Sequence, residues 1–200
     1  MSDKERTYWN NRYSLGMDSG SCSVGKLKDW RWKIIKKHAK LKNKSVLDVG
    51  CGDLRFWDGV KHTDYTGIDI SKVIIEQNRV NKPNWFFICE DASIPSNNLM
   101  ADIVFYLMAD VVFCFEMLFH IMTEESYIRI LQNLNRWTKE TLFVSCWSER
   151  PEPLVFQNYQ AHYQLDEYLH LLPDLELKKK YTIEKGLRAL YVFERGTKSD

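Results

Sequence analysis

This chain of 200 residues lacks the short motifs that announce several common chemistries. It has no G-x-x-x-x-G-K-[ST] run, the loop whose backbone amides cradle a nucleotide's phosphates. It has no G-x-S-x-G elbow, so serine hydrolysis is not expected. Its five histidines are scattered, with no H-x-x-x-H and no Cys/His cluster spaced for a metal ion. Cysteine is scarce and odd in number: Cys22, Cys51, Cys89, Cys114 and Cys146, without a C-x-x-C pair. Three of them lie in apolar runs, so free buried thiols in a reducing compartment are expected. Nothing at the N-terminus looks like a secretory signal. The Asn43-Lys44-Ser45 sequon is therefore discounted and a cytoplasmic location expected. Charge of either sign is not in excess. The net value of +1 gives no bulk pull toward nucleic acid or an anionic membrane. The long apolar stretch Ala101–Met122 is broken by Asp102, Asp110, Glu116 and His120, which argues against a membrane span. No repeat, linker or low-complexity segment divides the chain, so one domain over 1–200 is expected.

What the chain does have is concentrated in Lys44–Ser71, KSVLDVGCGDLRFWDGVKHTDYTGIDIS. A short apolar run at Val46-Leu47 meets an acid, Asp48, and breaks at Gly50-Cys51-Gly52. A second run, Tyr65–Ile70, carries Asp69 near its end. A strand, a glycine turn, a short helix and a second strand fit this pattern. Glycine suits such a turn because it bends sharply and lets a ligand approach with no Cβ in the way. Asp69 follows Asp48 by 21 residues. That offset places a carboxylate at the tip of the next parallel strand, where it can hold both hydroxyls of a ribose. A nucleoside-binding half-domain is the simplest reading. A dinucleotide site wants G-x-G-x-x-G, and Arg55 stands where the third glycine would be. An NAD-dependent oxidoreductase is thus disfavoured.

The run LDVGCG resembles motif I of the class I S-adenosylmethionine (SAM) methyltransferases, with Asp48 two residues before the first glycine. The resemblance implies that the backbone of Gly50, Cys51 and Gly52 faces the methionine part of SAM, and that Asp48 anchors its amino group. Asp69 with Ile70 would meet the ribose. Asp91 with Ala92, just past the third strand, would meet the adenine; the alternative for Asp91 is a turn acid. Upstream, YWNNRY, a Gly/Ser loop over Gly16–Gly25 and an amphipathic helix over Leu27–His38 resemble the N-terminal lid of some small members. This implies that Trp9, Arg12 or Tyr13 covers the cofactor, or else that the helix simply packs. The helix should turn Leu27, Trp30, Ile34 and Ile35 inward and its lysines outward.

For strand four both Ile103–Leu107 and Val111–Phe115 qualify. The second is preferred, because VVFCFEMLFHI resembles motif IV with Glu116 in the acid's place and His120 in the histidine's. Residues 98–108 then form an extra edge segment or short helix. Glu116 and His120 are the catalytic candidates, His120 as a general base or as a residue that only packs there. His162 is a second base candidate, on an insert holding Pro151, Pro153 and Tyr159. The remaining strands are expected near Ser45–Val49, Trp85–Cys89, Thr141–Trp147, Glu176–Glu184 and Leu187–Glu194.

The fold expected is α/β: a Rossmann-like three-layer sandwich on a seven-stranded, mostly parallel sheet closed by an antiparallel hairpin. Residues 1–40 form the lid and 44–195 the SAM-binding core. The function implied is methyl transfer from SAM to a small-molecule or glycan acceptor, at oxygen. No metal, no nucleic acid and no membrane partner is expected, and a homodimer is allowed. The Asn/Asp-Pro-Pro-Tyr/Phe sequence of the family's amino-methylating nucleic-acid enzymes is absent after strand four. The alternative is a non-catalytic partner subunit with the same fold, suggested by Leu54, where the family often has a further glycine.

Overall fold

The computed structural model describes residues 3–95, 98, 101–149 and 160–196. Pro151, Pro153 and Tyr159 of the expected insert lie outside the described residues. Seven strands form one sheet in the order β3-β2-β1-β4-β5-β7-β6. They are β1 (Val46–Val49), β2 (Tyr65–Asp69), β3 (Phe86–Cys89), β4 (Ala109–Phe115), β5 (Thr138–Trp147), β6 (Leu175–Ile183) and β7 (Arg188–Arg195). The pairs β1–β2, β2–β3, β1–β4 and β4–β5 are parallel, whereas β7 runs antiparallel to both β5 and β6.

Alternation of side chains sorts the strands' residues onto two faces. Leu47, Val49, Val112, Cys114, Leu142 and Val144 join one core cluster, and Val46, Val111, Phe113 and Phe143 join the other. The first face is covered by α4 (Ala101–Leu107) and α5 (Glu124–Trp137), through Leu107, Tyr127, Ile130, Leu131, Leu134 and Trp137. The second is covered by α2 (Gly25–His38) and α3 (Lys72–Asn81), through Ile34, Ile35, Ile74 and Ile75. A helix layer on each face of the sheet makes three layers.

Local chemistry explains the helix starts. Ser71 caps α3, its hydroxyl accepting from the Ile74 amide at 3.4 Å. Thr123 caps α5 in the same way at 3.3 Å, and Glu124 and Glu125 sit in its positive first turn. The strand-four choice holds: β4 contains 111–115, and Ile103–Leu107 belongs to α4. Arg55–Trp57, where a short helix was expected after the glycine turn, is a 3₁₀ turn, and so is Leu165–Leu171. β5 begins at Thr138, before the expected Thr141. The N-terminal helix α1 (Asp3–Ser14) lies against α3, with Asn10 Oδ1 accepting from Ser71 Oγ at 2.9 Å and the Val73 amide at 3.3 Å.

The largest departure on α2 is Arg31. It shares the inward face with Ile34 and Ile35 and is 1% exposed. A guanidinium is buried only with partners, and Glu116 is its partner.

Candidate active site

The strand order reverses between β1 and β4, since β2 and β3 lie to one side and β5 to the other. Ligands of open α/β sheets bind outside the carboxyl ends of the strands at such a switch point. A cavity of about 690 Å³, partly open to solvent, lies there. Gly50, Cys51 and Gly52 after β1, Asp69 and Ile70 at the end of β2, Ala92 after β3, and Glu116 and His120 after β4 all line it, with Trp9 from α1.

The glycine elbow is held from behind. Gly50 and Cys51 backbone amides both donate to the Ile68 carbonyl, at 2.8 and 3.1 Å, and Asn78 Nδ2 donates to the Gly52 carbonyl at 2.7 Å. Gly50 has φ +76°, and a Cβ there would stand 2.8 Å from Met117 Cγ and Sδ. At Gly52, with φ +52°, a Cβ would overlap Ser19 Oγ. The elbow is therefore bare because both its conformation and its surroundings exclude a side chain.

Asp69 spans the elbow and the next helix. Its Oδ2 accepts from the Gly52 amide at 3.0 Å and its Oδ1 from the Ser71 amide at 2.9 Å. Each oxygen keeps accepting capacity for a ligand hydroxyl. Burial pushes this carboxyl up to about 6, against the pull of those amides.

Four expected site residues stand outside the cavity lining. Asp48 is buried below the elbow, where its Oδ2 accepts from Trp57 Nε1 at 2.7 Å and Tyr65 OH at 2.8 Å. Burial pushes it, too, up to about 6. Asp91 Oδ1 accepts from both the amide and the hydroxyl of Ser93, each at 2.7 Å, which is the turn-acid geometry. Its neighbour Glu90 lines the cavity instead. Arg12 donates from Nε to the Asp18 carbonyl at 2.6 Å and lines an adjoining cavity. His162 stacks on Phe119 at 6.2 Å between ring centres and lines neither cavity.

The loop that follows α1 is fastened to the elbow by a reciprocal pair. The Ser19 amide donates to Asp53 Oδ2 at 2.8 Å, and the Asp53 amide donates to Ser19 Oγ at 2.9 Å. Ser19 Oγ also meets Tyr13 OH at 3.0 Å. Tyr13, on the cavity wall, stacks with Trp9 at 5.8 Å. Ser19, Asp53, Glu90 and Met117 were not foreseen, because no spacing rule ties a loop serine to an acid 34 residues later.

Glu116 sits in a left-handed backbone conformation, φ +54°, immediately after β4. Its Oε1 accepts from Arg31 and from Ser145 Oγ (2.8 Å), and its Oε2 from Arg188. Fixed between two guanidiniums, it is built as an ion-pair hub. His120 packs edge-on against Trp9 at 5.0 Å and beside Phe119 at 4.3 Å.

A family model described as a methyltransferase domain matches residues 46–141. The magnesium protoporphyrin IX methyltransferase of Synechocystis PCC 6803, crystallised with bound SAH, superposes with a TM-score of 0.67 at 15% identity, covering 97% of this chain and 99% of that one. The chain carries a class I SAM-dependent methyltransferase domain. The N-methyltransferase NodS of Bradyrhizobium japonicum WM9, in complex with S-adenosyl-L-homocysteine (SAH), is similar with a TM-score of 0.69 at 11% identity over 96% of this chain and 99% of that one. In sequence, a tRNA U34 carboxymethyltransferase of Pseudomonas aeruginosa is 34% identical over 65 residues. That match takes in 31% of this chain and 16% of the relative, so this methyltransferase domain spans a small part of the curated relative it resembles. No helix among the described residues is long and apolar enough to cross a membrane.

SAM is the cofactor of the domain, and a cationic cofactor interacts with raised carboxyls in a definite direction. Asp69 has an ordinary value of 3.8 and stands at about 6 when folded. The folded protein thus holds this proton more tightly, and the contribution to stability is present at low pH and fades as pH rises through about 6. Binding a cation with ribose hydroxyls favours the ionised form instead. SAM affinity should therefore fall by up to tenfold per pH unit below about pH 6. Calorimetry in buffers of different ionisation enthalpy should detect proton release near pH 6 and none near pH 8; proton uptake would reverse the assignment.

Proposed function

We propose that this domain transfers the methyl group of SAM to a hydroxyl oxygen of a small-molecule acceptor, a sugar included, in the cytoplasm. The observation that carries the reading is the place of His120. It lines the cofactor cavity and also a second cavity of about 590 Å³, which opens beside it under the lid.

The fit to SAM rests on the elbow and on Asp69. The backbone of Gly50–Gly52, on the cavity wall, would face the methionine portion. Asp69 would hold the ribose hydroxyls with the acceptor capacity its two amide partners leave. Ile70, Ala92 and Glu90 would surround the adenine, and Trp9 and Tyr13 would close over it. Asp48 would act at one remove, by fastening Trp57 and Tyr65 beneath β1. When bound, SAM supplies an electrophilic methyl group on a sulfonium, so orientation and exclusion of water do much of the work. The lid residues Trp9, Tyr13 and Ser19 keep water from the crevice. His120, at the junction of the cavities, would accept the hydroxyl proton on its imidazole as the oxygen attacks. The near-neutral net charge favours a small molecule over nucleic acid.

The test is His120→Gln with an acceptor found by screening metabolite fractions for a mass gain of one methylene unit. The turnover number should drop roughly 10²–10⁴-fold, with little change in the KM for SAM. Unchanged turnover would assign His120 to packing against Trp9 and Phe119.

A further inference from the structure

The second cavity carries an electrostatic imbalance. Arg12 and Arg188 line it, and Glu116 is the sole acid on its wall among the described residues. Glu116 is shared by Arg188 and by Arg31, which stands behind the wall. The side chains of Arg31, Arg188 and Glu116 are 1%, 13% and 11% exposed, so two guanidiniums share one carboxylate away from water. The outer acids do little to offset this. Glu184, 3.0 Å from Arg188 Nε, and Asp18, 3.6 Å from Arg12, are about half exposed, where pairing is weak.

A second observation points the same way. Trp147 lines this cavity under the Arg188 guanidinium, 4.3 Å from the ring centre. Its Nε1 is buried and has no hydrogen-bond partner, and neither has Arg31 Nε. A buried donor without an acceptor and an uncompensated buried cation are both costly. A ligand that brings negative oxygens to Arg188 relieves the second.

Resting on the methyltransferase reading above, we propose that the acceptor carries an anionic oxyacid group, a carboxylate or a phosphate, which this second cavity holds. Arg188 and Arg12 present guanidinium forks that match such oxygens. Phe119 and Trp147 offer flat surfaces to the rest of the molecule. The hydroxyl to be methylated then lies toward His120 and the cofactor.

The experiment titrates the full chain, saturated with SAH, with benzoate against benzamide and phenyl phosphate against phenol. At least one anion should bind tenfold or more tightly than its neutral counterpart, and raised salt should weaken it. Preference for benzoate alone or phenyl phosphate alone identifies the group. Arg188→Gln should shrink the preference to threefold or less. Should that variant fail to fold, Arg12→Gln provides the second reading, with a loss of threefold or more. Equal binding of charged and neutral probes by SAH-loaded protein, or a preference intact in both variants, overturns the proposal and leaves the cofactor assignment standing. Failure to take up SAH at all instead overturns the methyltransferase reading beneath it.

Discussion

Asp69→Ala should lower SAM affinity at least roughly a hundredfold and leave the protein folded. The size follows from the site. Two hydrogen bonds from ribose hydroxyls to an ionised acceptor contribute roughly 1.5–3 kcal/mol each, and every 1.4 kcal/mol is about tenfold. The fold should tolerate the change because the carboxyl is poorly solvated even in the free protein, as its rise to about 6 records. What alanine gives up structurally is the acceptor for the Gly52 and Ser71 amides, and water entering the crevice can replace it. Asp91→Ala provides the contrast. That carboxylate is engaged by Ser93 and stands outside the cavity lining, so calorimetry should find much the smaller loss of affinity. Equal losses in the two variants would contradict the assignment of the ribose to Asp69.

Glu116→Gln should be the most destabilising single change among the residues considered, by about 3–5 kcal/mol, as when a buried ion pair loses one partner. The substitution keeps shape and hydrogen-bonding atoms but removes the negative charge that Arg31 and Arg188 share. Two guanidiniums then remain together in a poorly hydrated place. Arg31→Met should cost less, because Glu116 retains Arg188 and Ser145. Combining Glu116→Gln with Arg31→Met should restore part of the loss, since one buried cation is gone. Urea denaturation with equal slopes reads these differences directly. If Glu116→Gln lowers the midpoint no more than Arg31→Met does, the excess of buried positive charge is not real. The left-handed backbone at Glu116 adds a strain of order 1 kcal/mol whichever of these side chains is present.

The architecture was legible because it is carried by local patterns. Val46 to Gly52 reads as strand and elbow from apolar residues followed by glycines, and the offset to Asp69 fixes the neighbouring strand tip. Val111–Phe115 was recognisable as β4 because VVFCFEMLFHI resembles motif IV, and the closing hairpin from the adjacent runs Glu176–Glu184 and Leu187–Glu194. The crevice followed, since its walls are the ends of those strands. The polar pairings did not follow. Asp48 carries the motif's acid, yet Trp57 and Tyr65 claim its carboxylate, and neither is marked in the sequence as its donor. Asp91 has the expected position, but a serine two residues on takes its oxygen. Arg31 looked like one more cation on a lysine-rich helix. Its burial depends on Glu116, 85 residues away, which it shares with Arg188. Periodicity reports which face is inward, and says nothing of which distant charge makes an inward arginine tolerable.

The account stands on the crevice where β1 and β4 part, and a crystal structure of the chain grown with SAH tests it most directly. The adenosyl group should lie beside Gly50–Gly52, with both ribose hydroxyls on the Asp69 carboxylate and the sulfur turned toward His120. Clear density for SAH elsewhere on the protein, or an empty crevice at saturating ligand with Asp69 still bound only to its two amides, would contradict it.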